Sequence, residues 1–219
     1  MNAEQSWERR WLQLSGPAIT AQREYLNELD HQIGDSDHGQ NLNRGFGAVM
    51  ELLESSDAAN ISGRAAMVLL ETVGGASGPL YAAAWQQIGK EVSTITSQGR
   101  TMQAPDAAII LHSATLGVQR RGHAEEGDKT MVDAWIGATN AARIAAADGA
   151  GLVGTWEAAA RGAQVGANNT IPLQARRGRA SYLGERSRGH LDPGAASTAL
   201  LLECAAQAAR ETWGEENRD

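Results

Sequence analysis

The sequence predicts one all-α domain, a bundle or barrel of amphipathic helices joined by short loops. Three observations predict it. Alanine, leucine, glutamate, glutamine and arginine, the strong helix formers, fill the long segments. β-Branched residues rarely cluster, and no run alternates apolar and polar positions as a half-buried strand does. The chain holds 39 alanines and 25 glycines, small enough for helices to approach closely. At 219 residues and 42% hydrophobic it can bury a substantial core, and nothing in it reads as a linker or a repeat. The domain is therefore expected to span 1–219.

The first two helices are predicted at 4–15 and 17–32, parted by Gly16-Pro17. The third, 39–54, follows a polar stretch. The fourth, 62–73, ends at Gly74-Gly75, and the fifth, 78–92, carries Pro79 in its first turn. The sixth covers 105–121. In the seventh, 131–148, Val132, Trp135, Ile136, Thr139, Ala142 and Ala146 share one face. The eighth, 152–172, starts after the break at 149–151. The last, 194–213, follows Asp192-Pro193 and aligns Ala199, Leu202, Ala206, Ala209 and Trp213. Two stretches read as non-helical: 33–41, IGDSDHGQN, and 175–192, with five arginines from Arg176 to Arg188.

The net charge of -7 speaks against a nucleic-acid partner, which selects a basic face. No apolar run is long enough to span a membrane, and MNAEQSWERRW lacks the apolar core of a signal peptide. Cys204 is the only cysteine, so no internal disulfide forms and a reducing compartment fits. A soluble cytoplasmic protein, without a membrane or nucleic-acid partner, is expected.

Four segments carry candidate chemistry. In LDHQIGDSDHGQN, Asp30 closes a predicted helix, and Asp35 and Asp37 alternate in the turn after Gly34. Three converging carboxylates repel unless a hard cation such as Mg²⁺ or Ca²⁺ joins them. The alternative is that Asp35 and Asp37 cap the next helix. That helix start near Gly39 favours phosphate, so the combination suggests a metal-bridged phosphate. Taken alone, His38 reads as a hydrogen-bonded turn residue. In ETVGGASGPLYAAAW, Ser77 is a plausible N-cap, and the segment alone reads as a glycine turn between helices. In EEGDKTMVDAW, Asp128 or Thr130 caps a helix and Met131 opens its apolar face. The arginine-rich loop 175–191 suits either phosphate binding as a mobile lid or simple solvation.

In this order LDHQIGDSDHGQNLNRGF, GGASGPLY, GDKTMVDA and GRASYLGERSRGHLDPGA resemble the nucleotide-binding L subunit of dihydroxyacetone kinase. The resemblance runs from about Glu4 to Trp213. It implies a barrel of about eight antiparallel amphipathic helices, with nucleotide and metal at one end. It implies that Asp30, Asp35 and Asp37 bind two Mg²⁺ ions bridging the phosphates of ADP or ATP. His38, Gly39, Gln40 and Asn41 would line the nucleotide. Ala76 and Ser77 would approach the phosphates, and Gly122 and Met131 would border the base. Arg179 would reach the phosphates from the lid as the catalytic arginine, and Asp192, Pro193 and Gly194 would close the nucleoside side. Ser36 and Gln40 depart from the family's usual small residue and Thr or Leu.

The activity implied is phosphoryl transfer to dihydroxyacetone held on a separate K-type sugar-binding subunit. In the arrangement with separate chains, ADP stays bound and is recharged by an M-type subunit of the phosphotransferase system. Two other functions stay open: ATP-dependent phosphorylation of another short ketose such as erythrulose, and a nucleotide-loaded partner of a transcription regulator. Arg186 and Arg188 are expected at the docking face for the sugar-loaded partner.

Overall fold

The computed structural model describes residues 2–56 and 60–214, so both ends of the expected 1–219 domain lie outside the described residues. Among them are nine α-helices, one 3-10 segment and no strand. The helices are α1 (Ala3–Ala21), α2 (Arg23–Ile33), α3 (His38–Ser55), α4 (Ile61–Thr72), α5 (Ser77–Ser97), α6 (Ala104–Gly122), α7 (Met131–Ala147), α8 (Leu152–Asn169) and α9 (Pro193–Trp213). The 3-10 segment is Arg179–Ser187.

Side-chain caps fix several starts. Asn2 accepts the Gln5 N–H for α1, Asn60 that of Gly63 for α4, and Thr130 that of Val132 for α7. Asp192 accepts the Ala195 N–H at 2.8 Å for α9. Ser77 does not cap α5: it is the first helical residue, and its hydroxyl turns to His38 instead.

The break expected at Gly16-Pro17 is absent, and the chain turns at Gln22. Proline inside a helix costs about 3 kcal/mol. Here Trp11 and Leu12 before it and Ile19 after it are all buried, so one apolar face continues through the proline. Gly16 serves packing: a Cβ there would stand 2.7 Å from Met50 Cγ of α3. The two stretches expected to be non-helical are partly helical. α3 begins at His38, and 3-10 turns with a kink at Gly184 cover Arg179–Ser187.

Eight helices close a ring in the order α1, α3, α4, α5, α6, α7, α8, α9, with α9 packed back on α1. Neighbours run antiparallel. The indole N–H groups of Trp7 and Trp11 on α1 reach the carbonyls of Ala205 and Leu201 on α9, in opposite chain order. α2 stands outside the ring against α3 and α9. Trp7, Trp11, Trp85 and Trp156 fill the interior with ring centroids 4.4–6.0 Å apart. No helix among the described residues is long and apolar enough to cross a membrane.

Alternation around the ring has one consequence for chemistry. Every second helix begins at the same end, so α3, α5, α7 and α9 present their N-termini together. His38, Ser77, Met131 and Pro193, their first residues, all line a single cleft there.

Candidate functional site

The cleft encloses about 480 Å³. Four helix dipoles converging at one end make it favourable for anions. At its mouth Asp30, Asp35 and Asp37 place one carboxylate oxygen each within 4.8 Å of one another. Asp30 sits in the last turn of α2 and is buried, whereas Asp35 and Asp37 are exposed.

Local folding explains the convergence. Asp37 occupies the N-cap position of α3, but its side chain makes no capping bond. Asp30 Oδ2 does that work from α2, accepting the N–H groups of Asp37 at 2.9 Å and His38 at 3.3 Å. Asp35 and Asp37 are thereby released from the capping role and turned to the cleft. Ser36, between them, takes a left-handed φ of 67° and bonds His31 Nδ1. Arg179 from the 3-10 segment pairs with Asp35 at 3.0 Å. A base therefore does face the acidic turn, supplied from far along the chain. All-oxygen donors at this spacing fit a hard divalent cation.

His38 is buried between two hydroxyls, Ser77 Oγ at 3.2 Å from Nδ1 and Ser197 Oγ at 2.8 Å from Nε2. Burial pushes its pKa down to about 4, against the opposing pull of Asp37 and the Pro193 backbone, so the ring is neutral at pH 7. Ser197 continues the network to the Tyr81 hydroxyl at 2.6 Å, and burial drives that phenol up to about 12. Burial likewise raises Asp192 to about 7, with the Ala195 N–H and Lys129 opposing. Lys129 is buried, and burial lowers its pKa while Asp192 and Asp133 hold it up.

The cleft brings together most of the residues expected from the sequence. Asp30, Asp35, Asp37, His38, Asn41, Ala76, Ser77, Gly122, Met131, Arg179, Asp192, Pro193 and Gly194 line it. Gly39 and Gln40 do not. A Cβ on Gly39 would stand 2.0 Å from the Arg23 carbonyl, and the Gln40 N–H bonds Asn27 Oδ1, so both back onto α2. Sequence reasoning missed the apolar wall of Leu80 and Val118, and it missed Lys129. The one available signal for Lys129 was usage: it is one of two lysines beside 17 arginines.

A family model described as the DAK2 domain matches residues 32–207. The ADP-binding subunit DhaL of the PEP-dependent dihydroxyacetone kinase of Escherichia coli (strain K12) is 41% identical over 204 residues, covering 92% of this chain and 95% of that one. The ADP-binding subunit of the PTS-dependent enzyme of Lactococcus lactis is 38% identical over 196 residues, 88% and 92% of the two chains. The crystal structure of the C. freundii dihydroxyacetone kinase superposes with a TM-score of 0.68 at 23% identity, covering 94% of this chain and 34% of the longer one. Its complex with AMP-PNP and Mg²⁺ gives 0.64 at 24% identity, covering 91% and 33%. The ring of eight helices thus has a solved counterpart, and, matched by the domain model over most of its length and by separate subunits almost end to end, the chain belongs to the DAK2 domain family.

Proposed function

We propose that this chain is the ADP- and Mg²⁺-binding subunit of a dihydroxyacetone kinase, acting with a separate K-type subunit that holds the sugar. One observation carries the reading: three carboxylates converge within 4.8 Å at the mouth of a cleft walled by four helix N-termini. Carboxylates bind phosphate only through a cation, whereas helix N-termini bind it directly. A nucleoside diphosphate bridged by Mg²⁺ satisfies both. The end-to-end similarity to ADP-binding subunits supports the same assignment.

Within this reading Asp30, Asp35 and Asp37 hold two Mg²⁺ ions, and Asn41, Ala76 and Ser77 approach the phosphates. Leu80, Val118, Gly122 and Met131 border the base. Asp192, Pro193 and Gly194 close the nucleoside side, and Gly39 and Gln40 support the loop from behind. Neutral His38 orients Ser77 and Ser197 without carrying charge. Bound Mg²⁺ supplies neutralisation of charge on the phosphoryl group. Arg179 adds a guanidinium fork to that group from the lid, residues 175–191, exchanging its pairing with Asp35 for phosphate oxygens. Positioning and electrostatics dominate phosphoryl transfer, so no general base is required of this chain.

The lid also offers a docking face to the sugar-loaded partner, since Tyr182 at its surface is 89% exposed. ADP is held as a coenzyme and recharged in place by an M-type subunit of the phosphotransferase system; the L. lactis relative, named as the ADP-binding subunit of a PTS-dependent enzyme, supports a link to that system. Calorimetry tests the core of the proposal. Asp37→Asn is expected to weaken Mg²⁺-dependent ADP binding by about a hundredfold or more, with helix content unchanged. Unchanged affinity would overturn the metal assignment.

A further inference from the structure

Two consecutive residues hold both arms of the lid. The Asp128 carbonyl accepts the Arg176 N–H at 3.0 Å, and its carboxylate lies 3.5 Å from Arg177 Nε, where the chain enters the lid. Lys129 sends its ammonium to the carbonyls of Thr170, at 2.6 Å, and of His190, where the chain leaves it. Thr170 is the residue that ends α8, and its hydroxyl accepts the N–H of Asp192.

Lys129 is an expensive choice for this place. It is 1% exposed and adopts a left-handed φ of 60°, a strained backbone for a residue with a side chain. Among the described residues it forms no ion pair and directs its ammonium to two carbonyls. An apolar side chain of similar length would avoid the desolvation. What the ammonium achieves is geometric: it fixes two chain segments, 41 and 61 residues away, to the turn that leads into α7.

Among the other bonds of the neck, the His190 ring meets Gln32 Oε1 of α2 at 2.9 Å, and two tie the neck to itself. The Gly189 N–H meets the Ile171 carbonyl at 2.8 Å, and the Ala175 N–H meets Ser187 Oγ at 2.9 Å. On the metal side the lid touches α2 through Ala175, Ala180 and Leu183 against Ile33, and Arg179 meets Asp35. The turn at 128–129 is the attachment on the opposite side of the cleft.

We propose that Asp128-Lys129 is the clamp of the lid, and that Lys129 is a positioning residue that keeps Arg179 over the cleft by fixing the His190 carbonyl. The proposal rests on the reading of Arg179 given above, and its test separates the two. The five lid arginines are trypsin sites, so cleavage of the full chain between 176 and 188, mapped by mass spectrometry, reports lid opening without any activity. Lys129→Met is expected to speed that cleavage about tenfold or more while unfolding stays cooperative. Lys129→Arg, which keeps donors, is expected to restore slow cleavage. In turnover with the sugar-loaded partner, Lys129→Met is expected to lower kcat, and the Lys129→Met/Arg179→Ala double variant to be no slower than Arg179→Ala alone. Wild-type lid cleavage in Lys129→Met, or losses that multiply in the double variant, would overturn the clamp. Should Lys129→Met not fold, hydrogen exchange of the wild type decides. The Arg176 and Gly189 amides are expected to be as protected as the amide of Val132, and exchange at free-chain rates overturns the proposal. Wild-type turnover in Arg179→Ala would sink the functional reading instead, and the cleavage rates would still decide the clamp.

Discussion

In the half of the barrel away from the cleft, Trp7, Trp11 and Trp156 pack against one another at tilted angles, with Trp7 and Trp156 centroids 4.6 Å apart and Trp213 set against Trp7. At the cleft, buried His38, Tyr81, Lys129 and Asp192 are all hydrogen-bonded. Among the described residues the buried indole N–H groups of Trp135 and Trp156 lack a partner, and buried Glu8 and Ser62 have only each other. None of these residues lines the cleft. An unpaired polar atom in a packed interior lowers stability without misplacing anything. At the cleft the same defect would leave a ligand-facing group free to turn. The two regions therefore divide the work: aromatic area supplies stability, and a saturated polar network supplies orientation.

Removing aromatic area is expected to have the largest effect. Trp156→Ala should destabilise the fold by about 3–5 kcal/mol, the usual result of emptying a buried aromatic site. Denaturant unfolding measures it. If the division holds, ADP affinity of the folded fraction stays near wild type, and a parallel collapse of affinity would break the comparison.

The opposite substitution comes next. Arg179→Ala is expected to cut turnover about 10²-fold, roughly 3 kcal/mol of transition-state stabilisation. Its guanidinium is mostly exposed, so unfolding midpoints should not move. Steady-state kinetics with the sugar-loaded partner, beside nucleotide titration, separates kcat from binding.

This division also governs what was legible in the sequence. Periodicity located the helices of the ring, because each buries one apolar face. It misplaced the first break, since burial of Ile19 beyond Pro17 is invisible to a local breaker rule. In the acidic turn the residues alone left metal binding and helix capping open. Asp30 settles the capping, reaching the Asp37 and His38 N–H groups from a different helix. The reading of His38 as a hydrogen-bonded residue agrees with its two hydroxyl partners. That Gly39 and Gln40 back onto α2 was not legible, because adjacency in a loop does not say which residues face that helix. Lys129 stayed hidden because a lysine between Asp and Thr looks like a solvated cap.

A smaller effect is expected at the lid surface. Tyr182 is exposed and flanked by the lid arginines, so it contributes nothing to the ring. Tyr182→Ala should raise the apparent KM for the sugar-loaded partner about tenfold, near 1.4 kcal/mol, while sparing kcat and ADP binding. An unchanged KM would remove the docking role from this face.

The smallest effect reads the comparison through pH. Glu8 is buried in the barrel wall beside Ser62, and burial pushes its pKa from 4.5 up to about 8. Asp192 at the cleft is raised from 3.8 to about 7, and His38 is lowered from 6.5 to about 4. For both raised acids the folded chain binds the proton more tightly than the unfolded chain. Their contribution is present at low pH and is lost as pH rises through the folded pKa. His38 acts in the other direction, since the unfolded chain binds its proton more tightly. Stability from that group rises with pH between about 4 and 6.5 and then levels. Below pH 7 the three trends overlap. Above it His38 has finished titrating, Asp192 is passing through its midpoint, and Glu8 carries the larger share of the remaining slope. Between pH 7 and 8 the wild type should lose about 1 kcal/mol on this account. Glu8→Gln keeps the shape and removes that titration, so its loss across the interval should shrink to the smaller share left by Asp192. Urea midpoints at the two pH values provide the measurement. An equal slope in both proteins would place the titrating group at the cleft, and the barrel wall would then be as finely saturated as the site it supports.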